Sequence, residues 1–312
     1  MLQDIWWAAK YRPKTISECI LPAGLARDFQ GIVDSGSLPN LCLAGPAGVG
    51  KTTVANALFD QLKYEWIELN GSGRDRGIDA VRGKVERFAH GMSMEGCRKA
   101  VLINEADNMT QDAQLALRAV IEETSKNCSY VLTVNYASRL EAALLSRCIQ
   151  VDFLVPPDEA EALQAKFFKR CAEILRAEGK GFEPKALAMI VRSLFPDFRR
   201  TLGVLQKASA SGEITEASIK SVTATGLDGL VRIVKAKDFQ AAVEWVMQSA
   251  VSPIDVISYF TSNGGAIFAD DNSWAQCFID ANEHDYRSSR VADQKINLVA
   301  FLLKVMSKCK FK

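Results

Sequence analysis

The chain is 312 residues long, 48% hydrophobic and 24% charged, with a formal net charge of +1. This composition excludes a disordered or fibrous protein, and the length allows two or three separate cores. A near-neutral balance gives no bulk attraction to nucleic acid, so any DNA contact has to come from a local basic face.

The opening MLQDIWWAAKYRPK lacks the apolar core of a signal peptide, and every apolar run further on is far too short to span a bilayer. A cytoplasmic protein with no membrane partner is expected. From Leu41 to Val155 short apolar runs alternate with amphipathic stretches. LCLAG, WIELN, AVLINE, YVLTVN and IQVDF read as strands, and helical periodicity fills the gaps over Thr52 to Leu62, Ile78 to Ala89, Asp112 to Glu123 and Leu140 to Leu145. Strand, helix, strand in repetition predicts an α/β layer structure with a mostly parallel sheet. After VPPDE the strand signals stop. Helices are expected over Glu159 to Ala177, Pro184 to Ser193, Phe198 to Ser209 and Glu216 to Val222, and a turn at TGLDG precedes further helices up to QKINLVAFLLKVMSK. The expected domains are 1–157, 158–226 and 227–312. The eight cysteines contain no C-x-x-C pair and the two histidines lie far apart, so no zinc site is expected and most cysteines read as reduced core residues.

GPAGVGKTT, residues 45 to 53, matches the phosphate-loop pattern G-x-x-x-x-G-K-[ST], and it follows an apolar strand and opens an amphipathic helix. Glycines in such a loop let consecutive backbone N–H groups turn inward around a phosphate chain. Gly45, Gly48, Val49, Gly50, Lys51, Thr52 and Thr53 are therefore candidate ATP ligands, with Lys51 facing the outer phosphates and the Thr52 hydroxyl on Mg2+. The second element is VLINEADNMT, residues 101 to 110. A strand that ends in two acidic residues beside a phosphate loop uses the first to orient magnesium and the second to polarise the attacking water. Here Asn104 holds the first place and Glu105 the second. Asn104 accepts a hydrogen bond but brings no charge, so magnesium placement and catalytic alignment are expected to suffer more than ATP binding. The plainer alternative is a buried strand and helix cap with Asn104 bonded locally. Asn135, ending YVLTVN, is a candidate for the γ-phosphate or the attacking water, or else a strand-end turn residue. Arg147 in LLSRC and Arg199 in FPDFRRTLG are site candidates or surface salt-bridge partners.

YRPKTISECILP, GPAGVGKTT, NGSGRDRGIDAVR, NEADNMTQDAQLALR, VNYASRLEAALLSRC and FPDFRRTLGVLQ together resemble the successive motifs of AAA+ sliding-clamp loaders of replication factor C small-subunit type. The first and last motifs and the short C-terminal region are most like the large ATPase subunits of T-even-type bacteriophage clamp loaders. The resemblance extends to about residue 225. It implies an AAA+ P-loop module, a small helical lid and an all-α collar. It also implies roles: Lys10, Tyr11 and Ile20 on the adenine side, Asn135 and Arg199 as first and second sensors, and Arg147 as an arginine finger acting on a neighbouring subunit's ATP. Gln114 and Arg118 would couple DNA contact to the ATP site, unless they only face solvent. In GRDRGIDAVRGK, Arg76, Arg82 and Lys84 stand near a helix start that suits DNA phosphates, although a solvated basic face has the same pattern. Phe88, Met92 and Met94 suit a docking tip for a ring-shaped clamp, and an ordinary core helix explains Phe88 almost as well.

The family usually carries aspartate where this chain has Asn104, which leaves a degenerate subunit or a substitution made to trap the ATP state as options. The reading favoured is a DNA-dependent ATPase that opens a sliding clamp and closes it on primer-template DNA. Its partners would be the clamp, the DNA, copies of itself and a non-identical small subunit, in a pentamer in the host cell cytoplasm if phage-encoded. Two rivals stand beside it: a non-hydrolysing, nucleotide-binding scaffold subunit, and a Holliday-junction-type or helicase-loading ATPase, which the Ser-Arg-Cys stretch disfavours.

Overall fold

The computed structural model describes residues 6–91, 97–210, 212–216, 227–249, 251, 253–288, 291 and 293–312. The chain divides into two compact units, residues 1–215 and 216–312. The expected boundary near 157 falls inside the first unit, and the one near 226 lies outside the described residues.

The first unit is built on five parallel strands, β1 (Leu41–Ala44), β2 (Glu65–Asn70), β3 (Lys99–Asn104), β4 (Cys128–Val134) and β5 (Ile149–Asp152), in the order β2-β3-β4-β1-β5. All five expected strands form. Their alternation explains the two-sided core. Cys42, Ala44, Val101, Ile103, Leu132 and Val134 face one hydrophobic cluster, whereas Leu41, Leu43, Ala100, Leu102 and Val131 face the other. Seven helices belong to this sheet layer and its approaches or follow it: α1 (Trp7–Lys10), α2 (Ala23–Ser35), α3 (Lys51–Leu62), then α4, α5 (Gln111–Thr124), α6 (Ala142–Leu145) and α7 (Pro157–Ala177). α4 runs without a break from Ile78–Ala80 through a π-helical segment Val81–Glu86 to Arg87–His90. The sequence reading assigned nothing to residues 23–35. There α2 buries Phe29 and packs Leu25, Ala26, Ile32 and Val33 against the second cluster, and it ends at Gly36, whose φ of 65° no β-carbon-bearing residue adopts readily.

Two more helices, α8 (Pro184–Leu194) and α9 (Phe198–Ala210), complete the unit together with α7. Phe198 is the hinge of their packing, with its ring 4.6 Å from Phe167 and 6.0 Å from Phe195. The helix expected over 216–222 lies, after its first residue, outside the described residues.

The second unit is helical: α10 (Leu227–Ala236), α11 (Phe239–Gln248), α12 (Pro253–Ser262), α13 (Gly264–Ile267), α14 (Asp271–Ser288) and α15 (Gln294–Lys308). Its core gathers Leu230, Val234, Val246, Phe260, Phe301 and Leu302 around α15. The turn expected at TGLDG is not formed by its last three residues, which are helical. Leu230 and Val234 sit one turn apart on the buried face of α10, and that burial outweighs the low helix propensity of Gly229. No helix among the described residues is long and apolar enough to cross a membrane.

Candidate nucleotide site

Parallel α/β sheets open their binding crevice beyond the carboxyl ends of the strands, where neighbouring connections diverge. Here a cavity of about 950 Å³ lies there, reached by the loops after β1, β3 and β4 and by the start of α9. Of the expected site residues, Tyr11, Ile20, Gly48, Val49, Gly50, Lys51, Thr52, Thr53, Asn104, Glu105, Asn135 and Arg199 all line it. Gly48 and Gly50 have φ of 79° and 99°, the left-handed backbone that turns N–H groups inward. A β-carbon on Gly48 would stand 1.8 Å from Asp197 Oδ1, because the Phe198 N–H donates to the Gly48 carbonyl at 3.0 Å. The phosphate loop and α9 thus touch directly.

Lys51 is 8% exposed, and its ammonium donates to the carbonyls of Gly45 (2.5 Å) and Pro46 (2.8 Å) and to Asn135 Oδ1 (3.1 Å). Gly45 therefore serves the site through its carbonyl and is not in the wall. Burial lowers the Lys51 pKa to about 8; the carboxylate of Asp107 opposes that, Arg199 adds to it, and Glu105 opposes it more weakly. Lys51 and Arg199 are two cations converging on one cavity, as a polyphosphate requires.

At the other end of the loop, Thr52 Oγ1 donates to Asn104 Oδ1 at 2.9 Å, and Thr133 Oγ1 donates to the same oxygen at 3.0 Å. The Asn104 amide Nδ2 donates to Glu68 Oε1. Glu105 takes a left-handed backbone, φ 53°, and its N–H donates to Thr133 Oγ1 at 3.2 Å. A side chain held in that sparsely populated region is a strain that the surrounding bonds maintain. Its carboxylate is exposed and accepts from Asn108 Nδ2 at 3.4 Å. Asn135 is fixed from behind: buried Asp107 accepts from the backbone N–H groups of Asn135 (3.3 Å) and Tyr136 (3.2 Å). Among the described residues no three Asp, Glu, His or Cys side chains form a metal cluster. The donors present are hard oxygens that fit Mg2+: with its hydrogen given to Asn104, the Thr52 hydroxyl keeps its lone pairs for a cation.

The remaining expected residues lie elsewhere. Lys10 turns from the cavity to Glu178 at 2.7 Å, and the Tyr11 hydroxyl donates to the same carboxylate oxygen at 2.6 Å, tying the chain's start to the end of α7. Arg147 is exposed and donates twice to Glu122 Oε1, from Nε at 3.0 Å and Nη2 at 2.9 Å. Arg118 Nε approaches the same oxygen at 3.6 Å. Gln114 is buried, not solvated: its Nε2 donates to the carbonyls of Met109 and Arg139, and its Oε1 accepts from Glu141 N–H at 2.8 Å. Arg76, Arg82 and Lys84 are exposed around the start of α4, with Lys84 paired to Asp75 at 2.6 Å. Phe88 packs partly into the core beneath the Lys99 ammonium, 4.7 Å from its ring. Met92 and Met94 lie outside the described residues. Glu68, Thr133, Asp107 and Phe198 were not singled out from the sequence. Only Asp107 had a legible signal, as an acid shortly after the strand.

Residues 41–156 match the ATPase family associated with various cellular activities (AAA). The replication factor C small subunit of Archaeoglobus fulgidus is 32% identical over 311 residues, 95% of each chain. The chain belongs to the AAA+ sliding-clamp-loader family of replication factor C small-subunit type. This clamp-loader-type chain is also 38% identical to the sliding-clamp-loader large subunit of Escherichia phage RB69 over 74% of its own length and 73% of the relative's, and 37% identical to that of Enterobacteria phage T4 over 73% of each. In fold it is similar to the Thermotoga maritima RuvB Holliday junction branch migration motor, with a TM-score of 0.56 and 16% identity, covering 82% of this chain and 92% of that one. At that identity the likeness concerns fold alone.

Proposed function

We propose that the chain is the ATP-hydrolysing subunit of a sliding-clamp loader, which opens a clamp and closes it on primer-template DNA. The observation that carries this reading is the convergence of Lys51, Thr52, Asn104, Glu105, Asn135 and Arg199 on one cavity in a chain of clamp-loader type. ATP is the substrate. Lys51 and the loop N–H groups hold its phosphates, Tyr11 and Ile20 cover the adenine side, and Arg199 reaches the outer phosphates from α9. Thr52 and Asn104 would hold Mg2+, which supplies Lewis-acid charge when bound. Glu105 accepts the proton of the attacking water, and Asn135, anchored by Asp107, orients that water. α7 to α9 act as a lid, since Phe198 bonds the phosphate loop directly.

Arg147 is the finger for a neighbouring subunit's ATP, so turnover requires assembly with like copies and a non-identical subunit in a pentamer. Arg76, Arg82 and Lys84 contact the DNA backbone, Phe88, Met92 and Met94 the clamp, Gln114 and Arg118 link DNA to the ATP site, and the second unit is the collar. The test is single-turnover ATP hydrolysis by the assembled complex with clamp and primer-template DNA. Turnover stimulated by both, abolished by Glu105→Gln and by Lys51→Ala, is expected. ATP binding without turnover under those conditions would make the chain a scaffold subunit instead.

A further inference from the structure

The missing charge at Asn104 has a replacement one strand away. β2 and β3 pair in parallel with Asn70 opposite Asn104 and Glu68 opposite Leu102, so the Glu68 side chain emerges on the same face of β2 as Asn70 and diagonally next to Asn104. Glu68 Oε1 accepts the Asn104 Nδ2 hydrogen bond, and Glu68 lines the nucleotide cavity. A carboxylate only accepts, and the hydroxyls of Thr52 and Thr133 donate to Asn104 Oδ1. The amide therefore has one orientation that satisfies all four groups, with its nitrogen on Glu68 and its oxygen on Thr52. Among the described residues Glu68 has no cationic partner within ion-pair distance. An aspartate at 104 would meet this carboxylate at hydrogen-bond distance, and two like charges there oppose each other. The Asn104–Glu68 pair as a whole carries one negative charge, the same as a single aspartate with a neutral neighbour.

We propose that Glu68 is the positioning residue of the magnesium pole, fixing the Asn104 amide oxygen toward Thr52 and supplying from β2 the carboxylate charge that Asn104 lacks. The inference rests on the nucleotide-site reading above. It turns the asparagine from a defect into half of a two-residue device, with the oxygen on β3 and the charge on β2.

The test uses the full chain, a non-hydrolysable ATP analogue, and Mn2+ as the probe, with free Mn2+ followed by electron paramagnetic resonance. Analogue affinity in EDTA, measured in parallel, reports that each variant is folded and isolates the metal's share. Glu68→Gln is expected to weaken Mn2+ binding to the nucleotide complex about five- to tenfold, the size of one carboxylate charge acting on a nearby cation at a partly exposed site. Its metal-free analogue affinity should stay within about twofold of the parent, since one conservative change at an exposed strand position leaves the phosphate loop intact. The double variant Asn104→Asp/Glu68→Gln, which moves the charge to β3, should recover the parent Mn2+ affinity. Parent-like Mn2+ affinity in Glu68→Gln, or a double variant as weak as Glu68→Gln, overturns the assignment while leaving the nucleotide site standing. Failure of the unsubstituted chain to bind the analogue at all would instead remove the site reading beneath it.

Discussion

Lys51 sits at an unusual point on the pH scale, and ATP binding should reveal it. In the free protein burial brings its pKa down to about 8 from the ordinary lysine value of 10.5. The phosphates of ATP favour the ammonium form, so binding above neutrality has to take up a proton. With a free-state pKa of about 8, roughly nine-tenths of the lysine is charged at pH 7 and roughly one-tenth at pH 9, so affinity falls about tenfold over that interval. At about pH 8, uptake should be roughly half a proton. Titration calorimetry in buffers of different ionisation enthalpy measures both quantities. Cys19, which also lines the cavity, is pushed by burial to about 12 and does not ionise in this window. The same shift has an opposite sign for folding. The unfolded chain binds the lysine proton more tightly, so the cost of burying the charged lysine is fully present below about pH 8 and is relieved as pH rises toward 10.5. Equal affinity at pH 7 and pH 9 with no proton uptake would refute this account of Lys51.

Mixtures of Lys51→Ala and Arg147→Ala subunits should show activity that depends nonlinearly on mixing ratio, because finger and phosphate loop meet across interfaces; a linear sum of the two separate activities would count against Arg147 acting in trans. Replacing Arg82 and Lys84 by alanine should weaken primer-template binding about equally for all sequences and lower the slope of log affinity against log salt by about two, as measured by fluorescence anisotropy. In the second unit, burial lowers the pKa of His284, whose Nε2 has no hydrogen-bond partner and whose ring stands 6.0 Å from that of Phe301. The unfolded state takes up that proton first. Stability should therefore fall as pH drops below the ordinary histidine value of 6.5, and thermal melts of His284→Phe should show a shallower pH dependence than the parent.

Much of this fold is legible because its cause is local. β3 is a continuous apolar run buried on both faces, and the phosphate loop is fixed by glycine spacing after a strand. α2 was legible too, since Leu25, Phe29, Ile32 and Val33 form a helical stripe, yet its approach through Pro22 and three glycines reads like a loop. Other features depend on distant partners and leave no mark on nearby residues. Glu68 in WIELN looks like any solvent-facing strand residue until β3 is laid beside β2. Arg147 reads as a finger or a surface ion-pair partner with equal ease, and in the isolated chain it is held by Glu122, 25 residues away. Gln114 looks like a helix-surface residue because a loop that arrives 25 residues later, at Arg139, is what buries it.

The central claim is that ATP bound in this cavity drives a clamp onto DNA, and the direct measurement is clamp loading itself. A fluorescently labelled sliding clamp, primed circular DNA and the assembled complex are mixed with ATP, and clamp retained on DNA after a high-salt wash is counted. Salt-resistant, ATP-dependent clamp on primed circles, lost with Lys51→Ala and stalled in a salt-sensitive complex with Glu105→Gln, is the predicted result. Equal loading without ATP, or by the Lys51→Ala complex, would contradict it.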